Sequence, residues 1–106
     1  TLDPHNAGLL AEAALCHASQ GDSRTGLRYA EQGIEAGRGA DELTAFGSAC
    51  SAAGSCIHEL GDVCAAIELK KQAAATFEAA GDPRRLAMAR TDIAYLELML
   101  GMAAEA

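Results

Sequence analysis

Apolar residues recur at steps of three and four along most of the chain, with polar residues falling largely between them. Leu43, Phe46, Cys50, Ala53, Ile57 and Leu60 make one such stripe. Val63, Ala66, Ile67, Ala73, Ala74 and Phe77 make a second, interrupted by Lys70, and Leu86, Ala89, Ile93, Leu96 and Leu100 make a third. Shorter stripes run through Leu10, Ala13, Ala14 and His17, and through Leu27, Ala30 and Ile34. Steps of three and four place side chains on one face of an α-helix. The pattern predicts helices near 5–20, 23–37, 41–60, 62–80 and 83–100.

The residues between the stripes predict how the helices join. Gly21-Asp22, Gly61-Asp62 and Gly81-Asp82 recur in register, and Gly101 follows twenty residues after Gly81. Glycine takes the left-handed conformation that ends a helix, and aspartate accepts the orphan N–H groups that open the next one. Pro83 follows Asp82, at the first helical position, where its missing N–H costs nothing. These are two-residue turns between antiparallel helices. Gly37-Arg38-Gly39-Ala40 reads as the loosest joint. Shifting the chain by forty residues aligns Gly21 with Gly61 and Gly101, Cys16 with Cys56, Ala14 with Gly54 and Ala94, and Gly26 with Ala66 and Ala106. Small residues recurring on facing helices permit close approach, so the period is one helical hairpin. The chain reads as one domain, or a piece of one, over residues 1–106, with repeats at about 5–40 and 41–81 and the start of a third at about 82–106.

Composition narrows the class further. Ala and Leu dominate, Phe46, Phe77, Tyr29 and Tyr95 are the only aromatics, and Val63 is the single valine. That core suits helices packed closely and not a β-sandwich, which draws on β-branched and aromatic residues. The net charge of −7 argues against nucleic acid, whose phosphates need clustered Lys and Arg. Lys70-Lys71 and Arg84-Arg85 with Arg90 are interleaved with acids and read as solvated helix faces. No apolar run approaches the length of a membrane span, and no signal-peptide pattern opens the chain. The first residue is Thr rather than Met, which reads as an excised segment.

Cys16, Cys50, Cys56 and Cys64 lack the paired spacing of a zinc site and lie among Ala, Leu or Ile, so they read as small buried hydrophobes in a reducing cytoplasm. Cys16 adjoins His17 and Cys56 precedes His58 by two, but helical neighbours that close point in different directions. There is no phosphate-cradling Gly-x4-Gly-Lys-Ser/Thr. The expectation is no catalysis, no cofactor and no metal.

The small residue late in a first helix, the glycine at the turn and the small residue early in a second helix occur as Ala14/Gly21/Gly26, Gly54/Gly61/Ala66 and Ala94/Gly101/Ala106. This arrangement resembles the tetratricopeptide repeat (TPR). The forty-residue period is similar to the longer TPR-like repeats of bacterial regulators, including the large LuxR-type ATP-binding activators; the stretch from Ala66 through Gly81-Asp82-Pro83-Arg84 to Leu100-Gly101 carries that likeness. The aromatic places of TPR helices hold His17, Ile57, Glu97, Ala30 and Lys70 instead. The resemblance implies an all-α fold of five helices, antiparallel hairpins stacked as an α-α superhelix. It further implies a cytoplasmic, non-catalytic protein-interaction module in a larger bacterial transcriptional regulator. Homo-oligomerisation and small-molecule sensing are the alternatives.

The same resemblance places a partner-binding concave face on the first helix of each hairpin. In the second repeat it falls on Ser48, Ser51, Ser55, His58 and Glu59, and in the third on Met88, Thr91, Tyr95, Leu98 and Met99. The serine set is small and polar, as a peptide groove or a solvated face would be. Met88, Tyr95, Leu98 and Met99 give the last helix a second apolar stripe, which a following helix of the parent chain or a second protomer would cover.

Overall fold

A computed structural model describes residues 6–40 and 42–105. It contains five helices: α1 (Ala7–Ser19), α2 (Ser23–Ala40), α3 (Leu43–Glu59), α4 (Val63–Ala80) and α5 (Pro83–Glu105). No strand occurs among the described residues. The fold is therefore all-α, built from antiparallel helical hairpins stacked side by side. The expected helix starts at residues 5 and 41 lie outside the described residues.

Three turns share one construction. Gly21, Gly61 and Gly81 have φ of 84°, 100° and 69°. At each, the glycine N–H bonds the carbonyl three residues back and the following aspartate N–H bonds the carbonyl five back: Asp22 to His17 at 2.8 Å, Asp62 to Ile57 at 3.1 Å and Asp82 to Phe77 at 3.0 Å. This is the Schellman arrangement, which satisfies the last carbonyls of a helix. The same aspartates then cap the next helix, Oδ1 accepting from the N–H of Thr25 at 3.2 Å, Ala65 at 3.0 Å and Arg85 at 3.1 Å. Each aspartate thus closes one helix through its backbone and opens another through its side chain. The hydrogen bonds to Arg85 hold the Asp82 carboxyl below the usual carboxylate range, and those to Thr25 do the same for Asp22.

Two glycine expectations are corrected. Gly37-Arg38-Gly39-Ala40 is no loose joint; α2 runs through to Ala40. A Cβ on Gly37 would lie 2.8 Å from the Cα of Phe46, so this glycine lets the α3 backbone come close rather than ending a helix. Gly101 is no turn either. It is helical, has no positive φ and is followed by Met102, which supplies no cap.

Helix α3 is the centre of the stack, packed on α1, α2 and α4, whereas α5 rests on α4. The small residues make this possible. A Cβ on Gly26 would sit 2.6 Å from the Ala14 carbonyl oxygen, and one on Gly47 would sit 2.7 Å from Cε1 of Phe77. One cluster of the core joins Ala14, Ala30, Ala49, Ala53 and Cys56, and a second joins Cys50, Ala73, Phe77 and Ala89. Leu43, Leu60 and Leu100, the stripe ends, are exposed.

Candidate functional site

The first helices of the hairpins, α1 and α3, and the unpaired α5 enclose a groove. It consists of three connected hollows of about 630, 200 and 520 Å³. The first and second share Leu15, Ser48 and Arg85, and the second and third share Asp92. Ser48, Ser51 and Ser55 lie along its floor at one-turn spacing, each partly buried. Leu15, Met88 and Tyr95, exposed by 49%, 58% and 58%, supply apolar contacts on its walls.

Lys70 organises the floor. It lies on α4, 5% exposed, at the position where it interrupts the apolar stripe. The expectation that it belongs to a solvated face is corrected. Its Nζ donates to Ser51 Oγ and Ser55 Oγ, both at 2.9 Å, and meets Asp92 Oδ2 at 3.2 Å. An ammonium has three N–H donors, and these three partners use them all. The stem packs over Gly54, where a Cβ would stand 3.3 Å from Cγ and Cε. Each serine accepts from Lys70 and keeps its own O–H to donate. Residues four apart on a helix hold their Cβ atoms about 5–6 Å apart. Alternate residues of an extended chain repeat at about 6.6 Å, close enough for Ser51 and Ser55 to reach two carbonyls on one side of it.

Of the sequence-derived positions, Ser55, His58, Glu59 and Tyr95 come together around the 520 Å³ hollow, and Ser48, Ser51 and Met88 around the 200 Å³ one. Thr91 and Met99 are elsewhere. Thr91 is exposed and its hydroxyl bonds the Ala87 carbonyl of its own helix at 3.0 Å. Met99 is partly buried and packs with Ala66, Ile67 and Leu96. Leu98 is 62% exposed and does not line the groove. Sequence reasoning missed Lys70, Asp92 and Leu15. The signal for Lys70 was its place inside an apolar stripe; a charge there needs a buried partner.

No family model, curated protein or solved structure matches the chain.

The four thiols differ. Cys50 and Cys56 are fully buried, whereas Cys16 and Cys64 are exposed, against the expectation that all four sit in apolar settings. Burial pushes the Cys50 thiol up to about 11 and also raises Cys56, whose Sγ lies 3.9 Å from the Ala14 carbonyl oxygen. Thiolate is the reactive form, so burial blocks both access and ionisation. Iodoacetamide at about pH 8 is expected to alkylate Cys16 and Cys64 in a fast phase and Cys50 and Cys56 only on unfolding. Peptide mass mapping at early times checks this; Cys50 labelled as fast as Cys64 would contradict the burial. Among the described residues, no three His, Cys, Asp or Glu side chains stand together as metal ligands, and no helix is long and apolar enough to cross a membrane.

Proposed function

We propose that this chain is a non-catalytic protein-interaction module whose groove between α1, α3 and α5 holds an extended segment of a partner polypeptide. The observation that carries this reading is the floor itself. Two serines one turn apart are fixed by a saturated Lys70 and line adjoining open hollows, with exposed Leu15 and Met88 on the walls of one and Tyr95 on the wall of the other. Hydroxyls held in place lose little freedom when they bond a ligand, and apolar walls supply the non-polar contact. Exposed Glu12, Glu42 and Glu59 line the groove beside the exposed base Arg85, which favours a segment carrying Lys or Arg. The TPR-like pattern of small residues and turns supports placing the module in a larger cytoplasmic bacterial regulator. A small-molecule sensor fits less well, because the three hollows form an open trough rather than an enclosed cavity.

Selection from a displayed library of linear peptides tests the reading. Enriched peptides are expected to combine basic and apolar residues. Their affinity should fall at least tenfold with Ser55→Trp, which fills the hollow, and with Tyr95→Ala, while circular dichroism stays helical. No enrichment, or peptides indifferent to both substitutions, would reject the groove.

A further inference from the structure

The helix α5 has a second unpartnered surface, outside the groove. Its extent is visible from the forty-residue register. On α1 the corresponding face holds Ala14, which α2 covers through Gly26, and on α3 it holds Gly47 and Gly54, which α4 covers through Phe77 and Ala66. On α5 these places are Ala87 and Ala94, with Leu98 beside them, and all three are exposed. Leu98 and Met102 are each 62% exposed. The hairpin that covers α1 and α3 is not repeated at the matching point. Gly101 is followed by Met102 in place of a capping aspartate, and α5 continues as helix to Glu105.

We infer that this face of α5 packs antiparallel against α5 of a second copy of the chain. The helix is complementary to itself about Ala94. Arg90 lies four residues before Ala94 and Glu97 three after it, on the same border of the face. In an antiparallel pair centred on Ala94, Arg90 of one copy meets Glu97 of the other within about 1.5 Å along the axis. The two-fold axis makes this contact twice. Ala87 falls opposite Gly101, so small side chains let the backbones approach while Leu98 and Met102 close the seam. Among the described residues Arg90 meets Glu78, at 3.3 Å, an exposed pair that holds it weakly. The face adjoins the groove wall, since Leu98 lies one turn and Met102 two turns beyond Tyr95, but it uses none of the side chains that line the groove. A single helix pair buries less than the roughly 800 Å² per partner of a standard interface, so association is weak and the measurement is made at high concentration.

Light scattering after size exclusion and sedimentation velocity at low ionic strength test it. The mass is expected to rise with concentration toward twice that of the chain. R90E or E97R alone should weaken the dimer at least tenfold, and R90E/E97R together should restore it, because the swapped charges meet again across the two-fold. L98E should be monomeric with unchanged helical circular dichroism; if it loses helicity, the charge swap decides. A wild-type chain still monomeric at about 1 mM, where even a millimolar dissociation constant would show, overturns the inference. Single charge variants that dimerise like wild type overturn it too, as does a double variant no tighter than the singles.

Discussion

Replacing Phe77 by alanine is expected to lower the unfolding free energy by about 3–5 kcal/mol. The ring is 3% exposed and is seated on Gly47, with Cys50, Ala73 and Ala89 around it. Truncation removes the transfer energy of the ring and leaves a hole, and the second cost depends on how far the surroundings collapse. Gly47, Cys50, Ala73 and Ala89 have little side chain with which to fill the space, whereas Ile34, Phe46 and Leu86, packed against the same cluster, can move partly into it. The loss is a large part of the 5–15 kcal/mol typical of a domain. Urea denaturation followed by circular dichroism measures it. A loss below about 1.5 kcal/mol would mean that α3 and α4 slide together over the gap.

A comparable effect is expected from Lys70→Ala, at about 2–3 kcal/mol, and the companion Lys70→Met separates its causes. Alanine removes three buried methylenes at about 0.8 kcal/mol each, together with the ammonium. Methionine keeps a stem of similar shape and removes only the charge. Losing one partner of an ion pair is costly where the other charge stays buried. The Asp92 side chain, however, is 50% exposed and returns to water when the ammonium and its own desolvation cost are removed. Lys70→Met is therefore expected within about 1 kcal/mol of wild type. Equal losses from the two variants in the same denaturation experiment would show instead that the contacts with Ser51, Ser55 and Asp92 hold α3, α4 and α5 together.

The fold class and three of the turns were legible in the sequence because their causes are local. Gly-Asp carries both a left-handed residue and a cap, and its recurrence at 21, 61 and 81 sets the hairpins. Gly37 misled because a glycine has two uses. It ends a helix or admits a neighbour, and the neighbour here, Phe46, belongs to the next helix. Gly101 carried its own warning, since no aspartate follows it. The serine row was readable as a helical face. Its fixing was not, because Lys70 reaches Ser51 across nineteen residues and Asp92 arrives on yet another helix.

The three turns that bond one helix shut and the next one open hold no slack chain. Among the described residues no long loop stands at the rim of the groove to fold over an occupant, and its width there follows from the spacing of α1, α3 and α5. A polypeptide lying there would stay wetted along one side and leave by peeling from an end, residue by residue. Such a trough suits partners that must be exchanged rather than kept.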